Sequence, residues 1–196
     1  MNRIRIFLTG VGGQGTLTAT TLLANTALAQ GLEVVSGEIH GMAQRGGVVE
    51  STVLIGGYAS PRIGHGEADI VLGFEPLETI RALPYLASGG VVLSSSDVVP
   101  PVGVSSGGES YPELEHIKAA VGKRAKKSWF LPCRELGLKA GSSQSGNTAL
   151  LGAACAVGVL PFDVEALEAA VRKFLPAKLV DVNLKALALG VEAVKG

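Results

Sequence analysis

Gly10-Val11-Gly12-Gly13-Gln14-Gly15 is the stretch that decides the fold. Before it, Arg3 to Leu8 reads as a strand; after it, Thr16 to Gln30 offers Leu17, Leu22, Leu23, Ala27 and Leu28 to an apolar helix face, with Gly31 as the stop. The glycines satisfy the G-x-G-x-x-G spacing of a strand–turn–helix unit. One glycine makes the turn, one lets backbone approach a pyrophosphate, and one lets the helix pack on the strand. Amides at the start of such a helix suit an anion. Gly10, Gly12, Gly13, Gln14 and Gly15 are therefore candidate cofactor-binding residues, although close packing of strand and helix alone also calls for these glycines.

Working outward, Leu32–Ile39, Val48–Ile55, Ala68–Gly73 and Val91–Leu93 read as strands, and Trp129–Leu131 as a last short one. Helices are expected from Pro76 to Leu86 and from Tyr111 to Lys127. From Gly146 onward the pattern is helical: Asn147–Val157, Asp163–Leu175 with Asp163 as N-cap, and Leu179–Lys195 after Pro176. Strands alternating with helices predict an α/β fold, a single Rossmann-like three-layer domain over residues 1–196 with a mostly parallel sheet and a helical C-terminal region.

Composition narrows the function. Lys plus Arg balance Asp plus Glu at 17 each, so no overall field draws the chain to nucleic acid or an anionic membrane. Lys123, Arg124, Lys126 and Lys127 suit a solvated helix end. The longest apolar stretch, Leu150 to Phe162, is interrupted by glycines and a proline and falls short of the roughly 20 residues a bilayer needs. A cytoplasmic protein is expected. The cysteines, Cys133 and Cys155, form no C-x-x-C pair, and His40, His65 and His116 lie in no metal-ligand spacing, so neither an iron–sulfur cluster nor a metal is expected on this chain. No nucleophile elbow accompanies Ser94–Ser96 or Ser142–Ser145, and no catalytic residue is assigned.

A second constellation, His40-Gly41-Met42-Ala43-Gln44-Arg45-Gly46-Gly47, follows the second strand. His40, Gln44 and Arg45 are ligand or interface candidates there, since Arg45 suits a carboxylate or phosphate and equally a surface ion pair. Glu75 and Glu78 either face a ligand or complement a helix start. A dinucleotide fingerprint also asks for an acid about 20 residues on; Glu38 comes about 28 residues after Gly10. A free-standing dinucleotide-binding dehydrogenase is thus the alternative.

Taken together, Gly10–Gly15, His40–Gly47, Ala68–Glu78, Gly146–Gly152 and Asn183-Leu184-Lys185-Ala186 resemble the gamma-type subunits of 2-oxoacid:ferredoxin oxidoreductases nearly end to end. The form Gly41-Met42-Ala43-Gln44-Arg45-Gly46-Gly47 is similar to the indolepyruvate branch. The resemblance implies oxidative decarboxylation of an arylpyruvate to its acyl-CoA with electrons passed to ferredoxin. It also implies that thiamine diphosphate, iron–sulfur clusters and coenzyme A belong to the complex, with the first two on a large catalytic subunit, because this chain has no Gly-Asp-Gly…Asn diphosphate motif. An accessory subunit, inactive alone, is the expectation.

Overall fold

The computed structural model describes residues 3–40, 47–100, 104 and 110–195. Six strands, β1 (Ile4–Val11), β2 (Val34–His40), β3 (Val48–Ile55), β4 (Ala68–Gly73), β5 (Leu86–Ser95) and β6 (Lys127–Leu131), form one sheet in the order β2-β3-β1-β4-β5-β6. The pairs β1/β4, β4/β5 and β5/β6 are parallel, as the alternation of strand and helix predicts. β3 is the reversal: it runs antiparallel to both β1 and β2. Val11 pairs with Val48 and His40 with Val49, so β1 ends, β2 ends and β3 begins on one sheet edge.

The helices are α1 (Thr16–Ala29), α2 (Pro76–Ala82), α3 (Leu114–Gly122), α4 (Cys133–Ala140), α5 (Gly146–Ala156), α6 (Val164–Phe174) and α7 (Ala177–Ala193). Strand alternation sends Ile6, Leu8, Ile70, Leu72 and Leu93 into a core with α1 and α4 to α7. Phe7, Val71 and Val92 point the other way, against α2 and α3 through Ala82, Ile117 and Val121. Burial on both faces is why these strands read as continuous apolar runs.

Several boundaries differ from the sequence reading for local reasons. The helix after Pro76 stops at Ala82, a 3-10 turn Leu83–Tyr85 follows around Pro84, and β5 already begins at Leu86. The expected 111–127 helix contracts to α3 because Lys126 N–H donates to Gly90 O at 2.9 Å and Lys127 opens β6. Leu17 and Leu28 lie on the exposed flank of α1, whose buried stripe runs through Ala19, Leu22, Leu23, Thr26 and Ala27. The short helix α4, squeezed between Pro132 and Gly141, has no counterpart in the sequence reading.

α5 and α7 touch backbone to backbone. A Cβ on Gly152 would strike the carbonyl of Leu187, and one on Gly190 the carbonyl of Ala149. Gly190→Ala is therefore expected to destabilise by about 1–3 kcal/mol through overpacking. Gly122→Ala, with nothing within 4 Å of the new methyl, is expected to be neutral or mildly stabilising. Thermal melts of the two variants check this; equal melting temperatures would contradict the close packing.

Candidate functional site

The glycine loop is shaped by what surrounds it. A Cβ on Gly10 would lie 3.0 Å from Gln14 Oε1, Phe74 Cβ and Thr16 Oγ1. Gly13 and Gly15 have φ of 99° and 80°, the left-handed region that favours glycine. Gly15 is also crowded, since its Cβ would fall on Asn147 Nδ2. Gly12 N–H donates to Gly47 O at 2.9 Å, which joins the first glycine motif to the end of the second.

Gln14 is turned inward. Its Oε1 accepts from Val11 N at 2.7 Å and its Nε2 donates to Phe74 O at 3.0 Å, so the side chain clamps the loop to the end of β4. His40 closes β2, while its side chain, Gln44 and Arg45 lie outside the described residues. Glu38, on β2, pairs in register with Ser51 of β3, and β3 separates β2 from β1.

Two clefts open beside the loop. One, of about 310 Å³, runs over the ends of β4 and β5 between Gly13, Asp97 and Gly146. The other, of about 270 Å³, has Thr18 on one side and Leu175, Leu179 and Val182 on the other. Gly13, Gln14, Gln144 and Asn147 line both.

The starts of α1, α4, α5 and α7 border the clefts, and they differ in how their amides are used. At α4, Asp97 Oδ2 accepts from Arg134 N at 2.6 Å, and Glu135 lies in the first turn. Among the described residues α1 and α7 have no side-chain cap and no acid in the first turn, whereas α5 continues a 3-10 turn, Ser143–Ser145, whose cap Ser142 Oγ accepts from Gln144 N, and Thr148 N donates to Asn147 Oδ1. Among the described residues the first-turn amides of α1 therefore stand without a side-chain partner beside the glycine loop. Cys133 also lines the first cleft, but burial pushes its thiol up to about 12, despite a hydrogen bond with Ser95 that works the other way. Burial also holds Cys155 at about 12. Neither is a nucleophile at neutral pH.

The acids sit around the start of α2. Glu75 is fully buried and caps that helix, accepting from Glu78 N at 2.9 Å, from Tyr111 O–H at 2.5 Å and from Val99 N at 3.3 Å. Burial first, and then Glu75, drive the Tyr111 hydroxyl well above its ordinary range, so it stays a donor. Glu78 is raised by burial against the pull of Arg81, 2.7 Å away, and among the described residues its Oε2 has no hydrogen-bond partner. Half-buried Glu50 on β3 is raised by burial. The helix-start reading of Glu75 and Glu78 describes this geometry. Among the described residues no group of His, Cys, Asp and Glu is arranged to hold a metal ion.

The site residue that sequence reasoning left unassigned is Asn147. It donates through Nδ2 to Gly15 O at 3.1 Å across 132 residues of chain, a separation no local spacing encodes.

Against known proteins, residues 5–193 match the family model described as pyruvate ferredoxin/flavodoxin oxidoreductase. The chain belongs to this family. It is 40% identical over 188 residues to the indolepyruvate oxidoreductase subunit IorB of Methanothermobacter thermautotrophicus, covering 96% of each chain. In fold it is similar to the pyruvate oxidoreductase subunit PORC of Thermotoga maritima, with a TM-score of 0.74, 23% identity and coverage of 98% of this chain and 97% of that one. It is also similar to the 2-oxoglutarate:ferredoxin oxidoreductase of Magnetococcus marinus, solved with 2-oxoglutarate, coenzyme A and succinyl-CoA bound. There the TM-score is 0.71 at 17% identity, over 100% of this chain and 31% of that chain. As a member of the pyruvate ferredoxin/flavodoxin oxidoreductase family, the chain is a subunit of an oxidoreductase.

The raised carboxyls give stability a definite pH dependence. In the unfolded chain Glu50 and Glu78 ionise near 4.5, and in the fold they hold their protons to higher pH. Folding is therefore penalised as pH rises from 4.5 through the folded values. Glu50→Gln, which keeps the shape and removes the charge, is expected to raise the melting temperature at pH 8 by about 1–3 °C and to leave it unchanged at pH 4. Melts at the two pH values test this; a loss of stability at pH 8 would mean that the Glu50 charge has an internal partner.

Proposed function

We propose that this chain is the accessory subunit of an indolepyruvate-type 2-oxoacid:ferredoxin oxidoreductase, and that its glycine-lined cleft receives the phosphates of coenzyme A. The observation that carries the reading is the start of α1, without a side-chain cap among the described residues, opening beside clefts that meet at Gly13 and Asn147. A helix start with no carboxylate in its first turn favours an anion.

A four-thiolate iron–sulfur cluster does not fit this chain, which offers two cysteines, both buried. The larger partner subunit supplies the clusters and thiamine diphosphate, which supports decarboxylation of the 2-oxoacid when bound there, and electrons leave to ferredoxin from that subunit. The residues here bind and orient. Val11 N, Gly12 N and Gln14 N are taken within the fold, so the Gly13 and Gly15 amides and the first turn of α1 meet phosphate oxygens, while the Gln14 side chain keeps the loop closed on β4 so that those amides stay aimed at the cleft. The reactive end of coenzyme A is thereby presented toward the partner. The complex works in the cytoplasm; among the described residues no helix is long and apolar enough to cross a membrane.

The free-standing dehydrogenase is the weaker reading because β3 intervenes between β1 and β2. Glu38 is therefore one strand farther from the glycine loop than a ribose-binding acid should be.

Thr18 offers a clean test. It is exposed, lies in the first turn of α1 and faces the second cleft. A Glu there suits the helix dipole but repels an anionic ligand. In the assembled complex, Thr18→Glu is expected to raise the KM for coenzyme A about ten-fold, roughly 1.4 kcal/mol, while the KM for the 2-oxoacid stays as it was. An unchanged KM for coenzyme A would refute the cleft as its site.

A further inference from the structure

Glu50 stands on the sheet face that carries α2. It pairs in register with Thr9, and strand alternation puts both residues on the side of Phe7, Val71 and Val92. It lies near the start of β3, at the edge where β1 and β2 end. Its carboxylate is half-buried, and among the described residues it has neither a hydrogen bond nor an ion pair. Burial is what raises it, with no cation to pull it back. A carboxylate withdrawn from water without a counter-charge costs free energy that a cationic partner offsets.

The groups around Glu50 do not supply that cation. Glu78 on α2 is 1% exposed, and the charges of Glu50 and Glu75 both reach it and add to its rise. Glu78 Oε1 accepts from Arg81 Nη1 at 2.7 Å, whereas its buried Oε2 has no hydrogen-bond partner among the described residues. Glu75 is already satisfied by Glu78 N, Tyr111 and Val99 N. The acids Glu50, Glu75 and Glu78 therefore share one guanidinium, that of Arg81, which sits on the far oxygen of Glu78. Apolar side chains rim them. Val48, two residues before Glu50 and on the same face of β3, is exposed, as are Val98 and Val99, whose backbone runs over Glu75. Exposed apolar surface around a partly buried charge suits a protein interface, where closing the rim withdraws a charge pair from water.

We propose that this face docks the larger subunit, and that a cationic side chain of that subunit, lysine or arginine, seats on Glu50 with the unsatisfied carboxylate of Glu78 behind it adding to the attraction. This rests on the accessory-subunit reading above and names a contact surface that the cleft reading leaves open. The charge that destabilises the free chain is then the one that the assembly uses.

The test follows a fluorescently labelled copy of the full chain as it dissociates from the larger subunit. Glu50→Gln is expected to speed dissociation by about ten-fold or more. The same variant is expected to be more stable than wild type as a free chain at pH 8, so a folding defect does not account for the loss. Glu78→Gln is expected to speed dissociation about three-fold. Glu115→Gln, which removes an exposed pair with Lys118 on α3, is expected to leave it unchanged. Wild-type dissociation in Glu50→Gln would overturn the inference and leave the accessory-subunit reading standing. A wild-type chain that never binds the larger subunit would overturn both. Equal acceleration in Glu115→Gln would reduce the effect to general surface charge and overturn the site, as would a free Glu50→Gln chain less stable than wild type at pH 8, which would give Glu50 an internal partner. Unchanged dissociation in Glu78→Gln would overturn the share assigned to Glu78.

Discussion

The carbonyl of Gly15 accepts a hydrogen from Asn147 Nδ2 at a point where no side chain fits between them. That contact joins the first strand–turn–helix unit to the helical C-terminal region, and much of the site depends on it. It requires a glycine at position 15, and the left-handed backbone there opens α1 without a capping side chain. It also draws the start of α5 beside the start of α1. A fold that used Ser or Asp as the α1 cap would satisfy its own amides and leave less charge for a ligand. Here the crowding removes the cap and the amides remain.

The two sides of the sheet edge show opposite solutions to the same problem. Toward α2, Glu75 caps the helix and Tyr111 and Val99 satisfy the Glu75 carboxylate, giving a closed polar layer. Toward α1 the N-terminus stays without a side-chain cap among the described residues and borders both clefts through the glycine loop. Asp97 claims Arg134 N at α4, and Ser142 Oγ and Asn147 Oδ1 take amides at the entry of α5. Ligand chemistry therefore concentrates on one side of the edge, while the other holds the strands in place.

Much of this was legible in the residues because the signals are local. The glycine spacing announced strand, turn and helix, and the strand runs at Ile6–Leu8 and Ile70–Leu72 followed from burial on both faces. The resemblance to gamma-type subunits agrees with the family to which the chain belongs. Long-range features were hidden. Strand direction is not written in composition, so the reversal at β3 escaped, and with it the reason that Glu38 stands apart from the glycine loop. α4 escaped because eight residues between Pro132 and Gly141 carry too short a period to read. Gln14 appeared as a ligand candidate because its position in the loop was visible and its two backbone partners at Val11 and Phe74 were not. Asn147 sat within a quoted motif, yet its role depends on a partner brought near only by the fold.

The central claim is that the glycine loop and the open start of α1 hold a ligand rather than merely reflecting tight packing. A structure of the assembled complex with coenzyme A tests it most directly. The account predicts phosphate oxygens within hydrogen-bonding distance of the Gly13 and Gly15 amides. Coenzyme A bound wholly on the larger subunit, with a partner side chain filling the cleft, would contradict it.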